Sequence, residues 1–561
     1  MPSNTLCIGL PKRTRRTGPK VKTGCITCKI RRVKCDENKP ICFSTGRKCD
    51  GYDGFSHFQA FGPHQASGLP LAVPMLSGLG DSIHYLEFYH KYARPSLSSD
   101  FDKEFWSQTS LQMAQSEPAV RHALVALGYL HKTQSGSLKH ARSSFAINHE
   151  HKTLLLYYNK AVRCLVDRMV ESSYSPEIGL VTCVLFICIE FMRGNYETAF
   201  VHLSSGLNII TEWRKRQLNG LSNVPRLSPS FSANTSNRSG SSTIIEDKLI
   251  PIFIRAITAA LLYGVPIEHI FQISGPLPMD LRKRPFLTIL EAQSPNHELR
   301  NVSIVWIRNM AQKIFYGNVI TTEDFKYQSY LLECHSAWLH CLQTLERHKH
   351  LSKEDKITAS SLMVSYYGTY ISVACAIETN QAKYDQHLEN FKALNHHAKI
   401  VLNSMNPTTS SASSSITDSK SLPRSSSGKM PVSSPKTSQA ANFTFEISVV
   451  PPLYFAATRC RCPVTRREAI SLLLLNPPRE ALWDPKQHAL VSERAIEIEE
   501  SEVDPVTGWP VEKTRLWSVV VNGDMDGEGR FSVRFSAGSW FQGQVYGRNG
   551  EGRMWEEWFV M

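Results

Sequence analysis

The sequence predicts a mainly α-helical protein in two unequal parts: a small cysteine-rich module at the N-terminus and, after a linker, a large helical domain with Ser-rich insertions and a short β-hairpin near the C-terminus. Three observations carry this. Apolar residues return at three- and four-residue steps through much of residues 81–500, as helices with one buried face require. Five cysteines fall within residues 25–49 on strongly basic ground. Two stretches, about 221–242 and 407–439, are dominated by small polar residues and cannot bury a core, so they are expected to be disordered.

At 561 residues, with 42% apolar and 10% aromatic residues, the chain is long enough for a small module plus a large globular domain. The formal charge is +13, and residues 1–52 hold thirteen Lys and Arg against three acidic residues, a net of +10. Charge concentrated in this way gains affinity for a polyanion through counterion release, so nucleic acid or an anionic surface is the expected partner. The opening MPSNTLCIGLPKRTRR has no apolar signal segment, so the fourteen cysteines are expected to be reduced. The cluster Lys12-Arg13-Thr14-Arg15-Arg16 suits nuclear import or phosphate contact, and a nuclear location is expected.

In chain order, residues 1–20 read as a basic tail, 21–52 as the cysteine module, and 53–80 as a linker of Gly, Pro and Ser without periodicity. Helices are predicted at IHYLEFYHKYA, EPAVRHALVALGYLHK and LLLYYNKAVRCLVDRMV, followed by a helical hairpin over 176–210 broken at Gly194 and Asn195. The run from Ile178 to Met192 is too short to span a bilayer and contains Glu190, so it reads as a buried helix, and no membrane association is expected. Helices resume at LLECHSAWLHCLQTLERH, ASSLMVSYYGTYISVACAIE and PVTRREAISLLLL. Residues 501–561 read as a tail whose strands RLWSVVV and RFSVRF flank the turn NGDMDGEG. The acids Asp524, Asp526 and Glu528 lack the spacing of a calcium loop.

The chemistry is concentrated in CITCKIRRVKCDENKPICFSTGRKCDGY. Cys25 and Cys28, two residues apart, can present both sulfurs on one side of a turn, and clustered thiolates are what tetrahedral zinc requires. The surrounding Lys and Arg favour the thiolate and remain available to meet phosphate. The spacing Cys25-x2-Cys28-x6-Cys35-x6-Cys42, with RRVKCDENKP and STGRKCDGY, resembles the fungal Zn(2)-Cys(6) binuclear cluster. That resemblance implies a zinc-stabilised two-helix module in which six cysteines hold two zinc ions. This chain offers five, Cys25, Cys28, Cys35, Cys42 and Cys49, as if three residues including one cysteine were missing between the third and last. Five thiolates complete one tetrahedral site at Cys25, Cys28, Cys35 and Cys42, and leave a second short of a ligand. Asp36, Asp50 and His57 are nearest, and none has a fitting spacing.

The resemblance further implies a short helix after Cys28, with Arg31 and Arg32 contacting guanine edges of CGG-type triplets in the major groove. Lys29, Lys34, Arg47 and Lys48 are then phosphate contacts. Double-stranded DNA and the transcription machinery are the implied partners. A homodimer would have to form without a coiled coil, because residues 53–80 show no heptads. The segments FWSQTSLQMAQSEPAVRHALVALGYLH and TCVLFICIEFMRGNYETAFVHLSSGLNII resemble the fungal-specific regulatory domain found downstream of such clusters. The chain is therefore expected to be an RNA polymerase II promoter regulator, or, because a cysteine is missing, a nuclear co-regulator that does not touch DNA. An enzyme is not expected: HExxH, P-loop and GxSxG motifs are absent. His348, His350, His396 and His397 read as solvated, and Cys460 and Cys462 as helix residues rather than ligands.

Overall fold

The computed structural model describes residues 83–97, 102–146, 152–222, 244–264, 285–405, 440–538 and 554–561. The chain divides into a unit over Met1–Pro70 and one over Leu71–Met561, and all described residues belong to the second. The expected basic tail, cysteine module and linker lie outside them, as do residues 223–243 and 406–439.

Helix ends follow local chemistry. A first helical run, α1, covers Ile83–Phe88, a π turn Tyr89–Ala93 and Arg94–Leu97. A second π turn, Phe105–Thr109, leads into α2 (Ser110–Ser116). Then come α3 (Pro118–Thr133), α4 (Leu138–Ala146), α5 (Lys152–Met169), α6 (Pro176–Arg193), α7 (Tyr196–Ser222) and α8 (Ile250–Leu262). Pro118 and Pro176 open their helices, where the missing N–H costs nothing. The expected hairpin is α6 and α7. Gly194, at φ 70°, ends α6 and donates its N–H to the Glu190 and Phe191 carbonyls. Every residue of α6 from Glu177 to Met192 is buried, and Glu190 is neutralised by Arg193 at 2.7 Å. The second helix continues past Ile210 to Ser222, into the start of the stretch expected to be disordered.

The next tier holds α9 (Ile289–Phe315), α10 (Thr322–His348), α11 (Lys353–Cys375) and α12 (Leu388–Met405). Thr321 and Asp324 form a capping box at the start of α10, and Ser352 and Asp355 repeat it at α11. Residues Phe443–Thr444 (β1) then pair in parallel with Arg479–Glu480 (β2), and around them run α13 (Val450–Arg459), α14 (Pro463–Leu474) and α15 (Pro485–Glu499). Cys460 and Cys462 are not helix residues as expected: they occupy the tight turn between α13 and α14, at the end of one and the cap of the next.

The largest core surrounds Tyr89, Trp106, Leu124, Phe186, Phe191 and Phe253, yet it is completed by Phe443, Phe445 and Leu482 from far along the chain. A second core joins α11 to α15 through Ile371, Phe391, Leu453, Ala457 and Leu473. The C-terminal strands β3 (Leu516–Val521) and β4 (Arg530–Ala537) form the expected antiparallel hairpin. A third strand, β5 (Met554–Val560), was not anticipated. It pairs with β4 so that Phe559 lies opposite Phe531 and Trp555 opposite Phe535, stacked at 5.6 and 5.5 Å. The inner face of this sheet packs on Tyr454, Val491 and Ala495, and Arg494 clasps Glu557 of β5 at 2.8 Å.

Glu499, at the end of α15, is fully buried and accepts hydrogen bonds from Arg461, Arg466 and the Leu516 N–H, each at 2.8 Å. Burial opposes its charge, but the two guanidinium groups outweigh it and hold the carboxyl below its ordinary range. One carboxylate thus fixes the turn before α14, α14 itself and β3 to α15. Glu499→Gln removes the carboxylate that two buried guanidinium groups share, leaving Arg466 only Glu500 at 3.8 Å, and is expected to cost about 3–5 kcal/mol in denaturant unfolding. Gly128 lies where the α1 backbone crosses α3, and an added Cβ would sit 2.0 Å from the Tyr85 carbonyl oxygen. Gly128→Ala is expected to destabilise by about 1–3 kcal/mol or more, read from the thermal midpoint, despite the better helix propensity of Ala.

Candidate functional site

The residues predicted to bind metal (Cys25, Cys28, Cys35, Cys42 and Cys49) and DNA (Lys29, Arg31, Arg32, Lys34, Arg47 and Lys48) lie outside the described residues. Their donor set fits zinc: five closely spaced soft sulfurs among cations that favour thiolate. The cysteines within the helical unit are of the opposite kind. Burial pushes the thiols of Cys183, Cys375 and Cys460 up to about 12, so they remain protonated packing groups. Among the described residues no three His, Cys, Asp or Glu side chains are placed to hold a metal ion. No helix among them is long and apolar enough to cross a membrane.

His348, His350 and His396 are exposed, as expected. His397 is not simply solvated: its ring stacks on Tyr367 at 6.1 Å, its Nδ1 lies 3.3 Å from the Ser360 hydroxyl, and burial lowers its pKa to about 4. The α12 face that carries it turns toward α11, whereas His396, one residue away, faces outward.

The functional geometry of the helical unit lies where the late segment 441–488 enters the early helices. Arg479 is buried and donates to the carbonyls of Gly136, Phe191, Met192 and Ala481 at 2.5–2.9 Å, closing the C-terminal end of α6. Its neighbour Glu480 accepts the N–H groups of Ser448, Val449 and Val450, capping α13 from another strand, while burial pushes its carboxyl up to about 7. Glu480 borders a cavity of about 400 Å³ that also meets Ser96, Thr358, Ser361 and Phe443.

A second cavity, about 290 Å³, lies between the ends of α8 and α15 and strand β3. Its organiser is Asp484, whose carboxylate accepts the N–H groups of Leu138, Lys486 and Gln487 at the start of α15. The Asp484 carbonyl faces Nδ1 of His488 at 2.8 Å. A carbonyl only accepts, so Nδ1 carries the proton and Nε2 the lone pair. Trp483 stacks on His488 at 4.5 Å, and Tyr454 meets the imidazole edge at 4.8 Å. None of this was visible in the sequence, where no helix was predicted over Pro485–Glu499 and neither Gln487 nor His488 was singled out.

Burial keeps His131, His335 and His488 neutral, with pKa values lowered to about 3, about 3 and about 4. The unfolded chain takes up protons at these rings below about pH 6.5, whereas the folded chain does not. Stability is therefore full above that pH and declines as pH falls from about 6.5 toward 4. Neither ring nitrogen of His131 has a partner. His131→Phe is expected to preserve folding at neutral pH and to shrink the acid loss, compared by denaturation midpoints at about pH 7.5 and pH 5.

Comparison with known proteins joins the two parts of the chain. A family model for the fungal Zn(2)-Cys(6) binuclear cluster domain matches residues 23–57, and one for the fungal specific transcription factor domain matches residues 84–254. The aspercryptin biosynthesis cluster-specific transcription regulator of Emericella nidulans is 33% identical over 36% of this chain and 35% of its own length. The transcription regulator lscL of Purpureocillium lilacinum is 30% identical over 34% of this chain and 49% of its own. The transcriptional regulatory protein moc3 of Schizosaccharomyces pombe is 48% identical over 9% and 10%. The chain thus matches half or less of the length of these relatives. No solved structure gives a significant match. Residues 23–57 thus match the fungal Zn(2)-Cys(6) cluster domain and residues 84–254 the fungal specific transcription factor domain, and the chain is similar in part to proteins named as fungal transcription regulators.

Proposed function

We propose that the chain is a zinc-dependent, sequence-specific DNA-binding regulator acting at RNA polymerase II promoters in the nucleus. The observation that carries this reading is the cluster family match over residues 23–57, which holds five cysteines and overlaps the chain's densest run of positive charge, Lys12 to Lys34. Zinc, when bound, supplies the tetrahedral tie that a module with so little core needs in order to fold. Cys25, Cys28, Cys35 and Cys42 hold one ion, and Cys49 is left for a second site one ligand short. Arg31 and Arg32 read CGG-type triplets through guanine O6 and N7, and Lys29, Lys34, Arg47 and Lys48 neutralise phosphates. The name of the Emericella relative supports control of a biosynthetic gene set. A second reading, a nuclear co-regulator that acts through its helical unit without DNA, is favoured by the missing sixth cysteine.

Metal analysis and duplex binding on the full chain separate the two. At least one tightly held zinc, with salt-sensitive preference for a CGG-containing duplex, is expected. Arg31→Ala or Arg32→Ala is expected to cost about 1–3 kcal/mol on that duplex and to relax sequence preference, whereas Lys48→Ala weakens all duplexes alike. A chain without zinc and without duplex preference would overturn the DNA-binding reading in favour of the co-regulator.

A further inference from the structure

We propose that the cavity between α8, α15 and β3 is a small-molecule site, built for a flat bicyclic ligand whose edge carries a hydrogen-bond donor beside an acceptor, as in a lactam. Its shape and its polar groups point there independently. At about 290 Å³ it has room for roughly ten water-sized groups, and its walls are largely aliphatic and aromatic. Such a wall binds flat apolar bodies, and Trp483, His488 and Tyr454 already stand in mutual contact there.

The cavity's polar side chains include Arg308, Asn522, Gln487 and His488. Gln487 is 3% exposed and borders the cavity; its backbone N–H donates to Asp484, and its side-chain amide makes no hydrogen bond among the described residues. Bordering the cavity, that amide is available to a partner from outside. An amide offers an N–H and a carbonyl side by side, and the complementary edge is a second cis amide, which a lactam provides. His488 adds an Nε2 acceptor, because its Nδ1–H is engaged by Asp484. Asp484 itself is held by three N–H groups, so both readers stand on a rigid first turn of α15. The occupant would touch the end of α8 and strand β3 together, joining the early helices to the C-terminal sheet. This inference does not depend on the DNA-binding reading, because its test measures only binding to the helical unit.

The test uses the full chain with carbostyril, a bicyclic lactam, and with N-methylcarbostyril, which keeps the ring and carbonyl but lacks the donor. Tryptophan fluorescence and thermal shift report binding. Carbostyril is expected to bind saturably and to raise the melting temperature, and the N-methyl compound to bind about tenfold more weakly, the loss of a neutral hydrogen bond in a dry site. Gln487→Leu is expected to abolish the difference between the two compounds. No saturable response to carbostyril, or equal affinity of the two compounds for the unaltered protein, overturns the proposal. These two outcomes are read on the unaltered chain, so they stand even if the variant fails to fold.

Discussion

Four backbone carbonyls converge on the guanidinium of Arg479, and the architecture depends on that convergence. Two of them, Phe191 and Met192, belong to the last turn of the most deeply buried helix, where orphan carbonyls would otherwise be sealed from water. Arginine is suited to the task because its planar fork delivers several donors at fixed angles while remaining charged, although burial lowers its pKa to about 10. The negative end of the helix dipole supplies part of the compensation. A lysine would bring one point charge to a place that needs several directed bonds.

Arg479 comes from the segment that also supplies Phe443, Phe445 and Leu482 to the first core. The part matched by the transcription factor family model, residues 84–254, is therefore not self-contained. Its central helices are closed by a polar plug and an aromatic plug that arrive much later in the chain. Glu499 plays the corresponding role at the other end, tying the sheet to α15 with two arginines.

Sequence legibility tracked the range of the interactions involved. Helices such as α3, α5, α6 and α10 were readable because their periodicity is local, and the α6–α7 break because Gly194 is where a left-handed residue is needed. The β3–β4 hairpin was readable because its turn is written between its strands. Strand β5 was missed because its partner is supplied by register with β4, not by any adjacent turn. Helices α9 and α13 were not predicted, and both carry prolines, Pro295 inside the first and Pro451 and Pro452 in the first turn of the second, where local signals favour a break. The cysteine module was the reverse case, with its ligand chemistry legible from spacing alone. The α15 cavity was not legible, since a glutamine that lacks a partner looks in sequence like any surface glutamine.

The late arrival of the closing segment has a consequence for how the protein is made. When α6 leaves the ribosome it is apolar on every side, and the residues that cover its end are encoded roughly three hundred positions downstream, on the order of tens of seconds of synthesis later. Throughout that interval the nascent chain carries a largely apolar helix whose end has not yet been covered. Its safe production in the cell then depends on chaperone cover during translation, and any premature stop before Arg479 yields a sticky fragment instead of a smaller working protein.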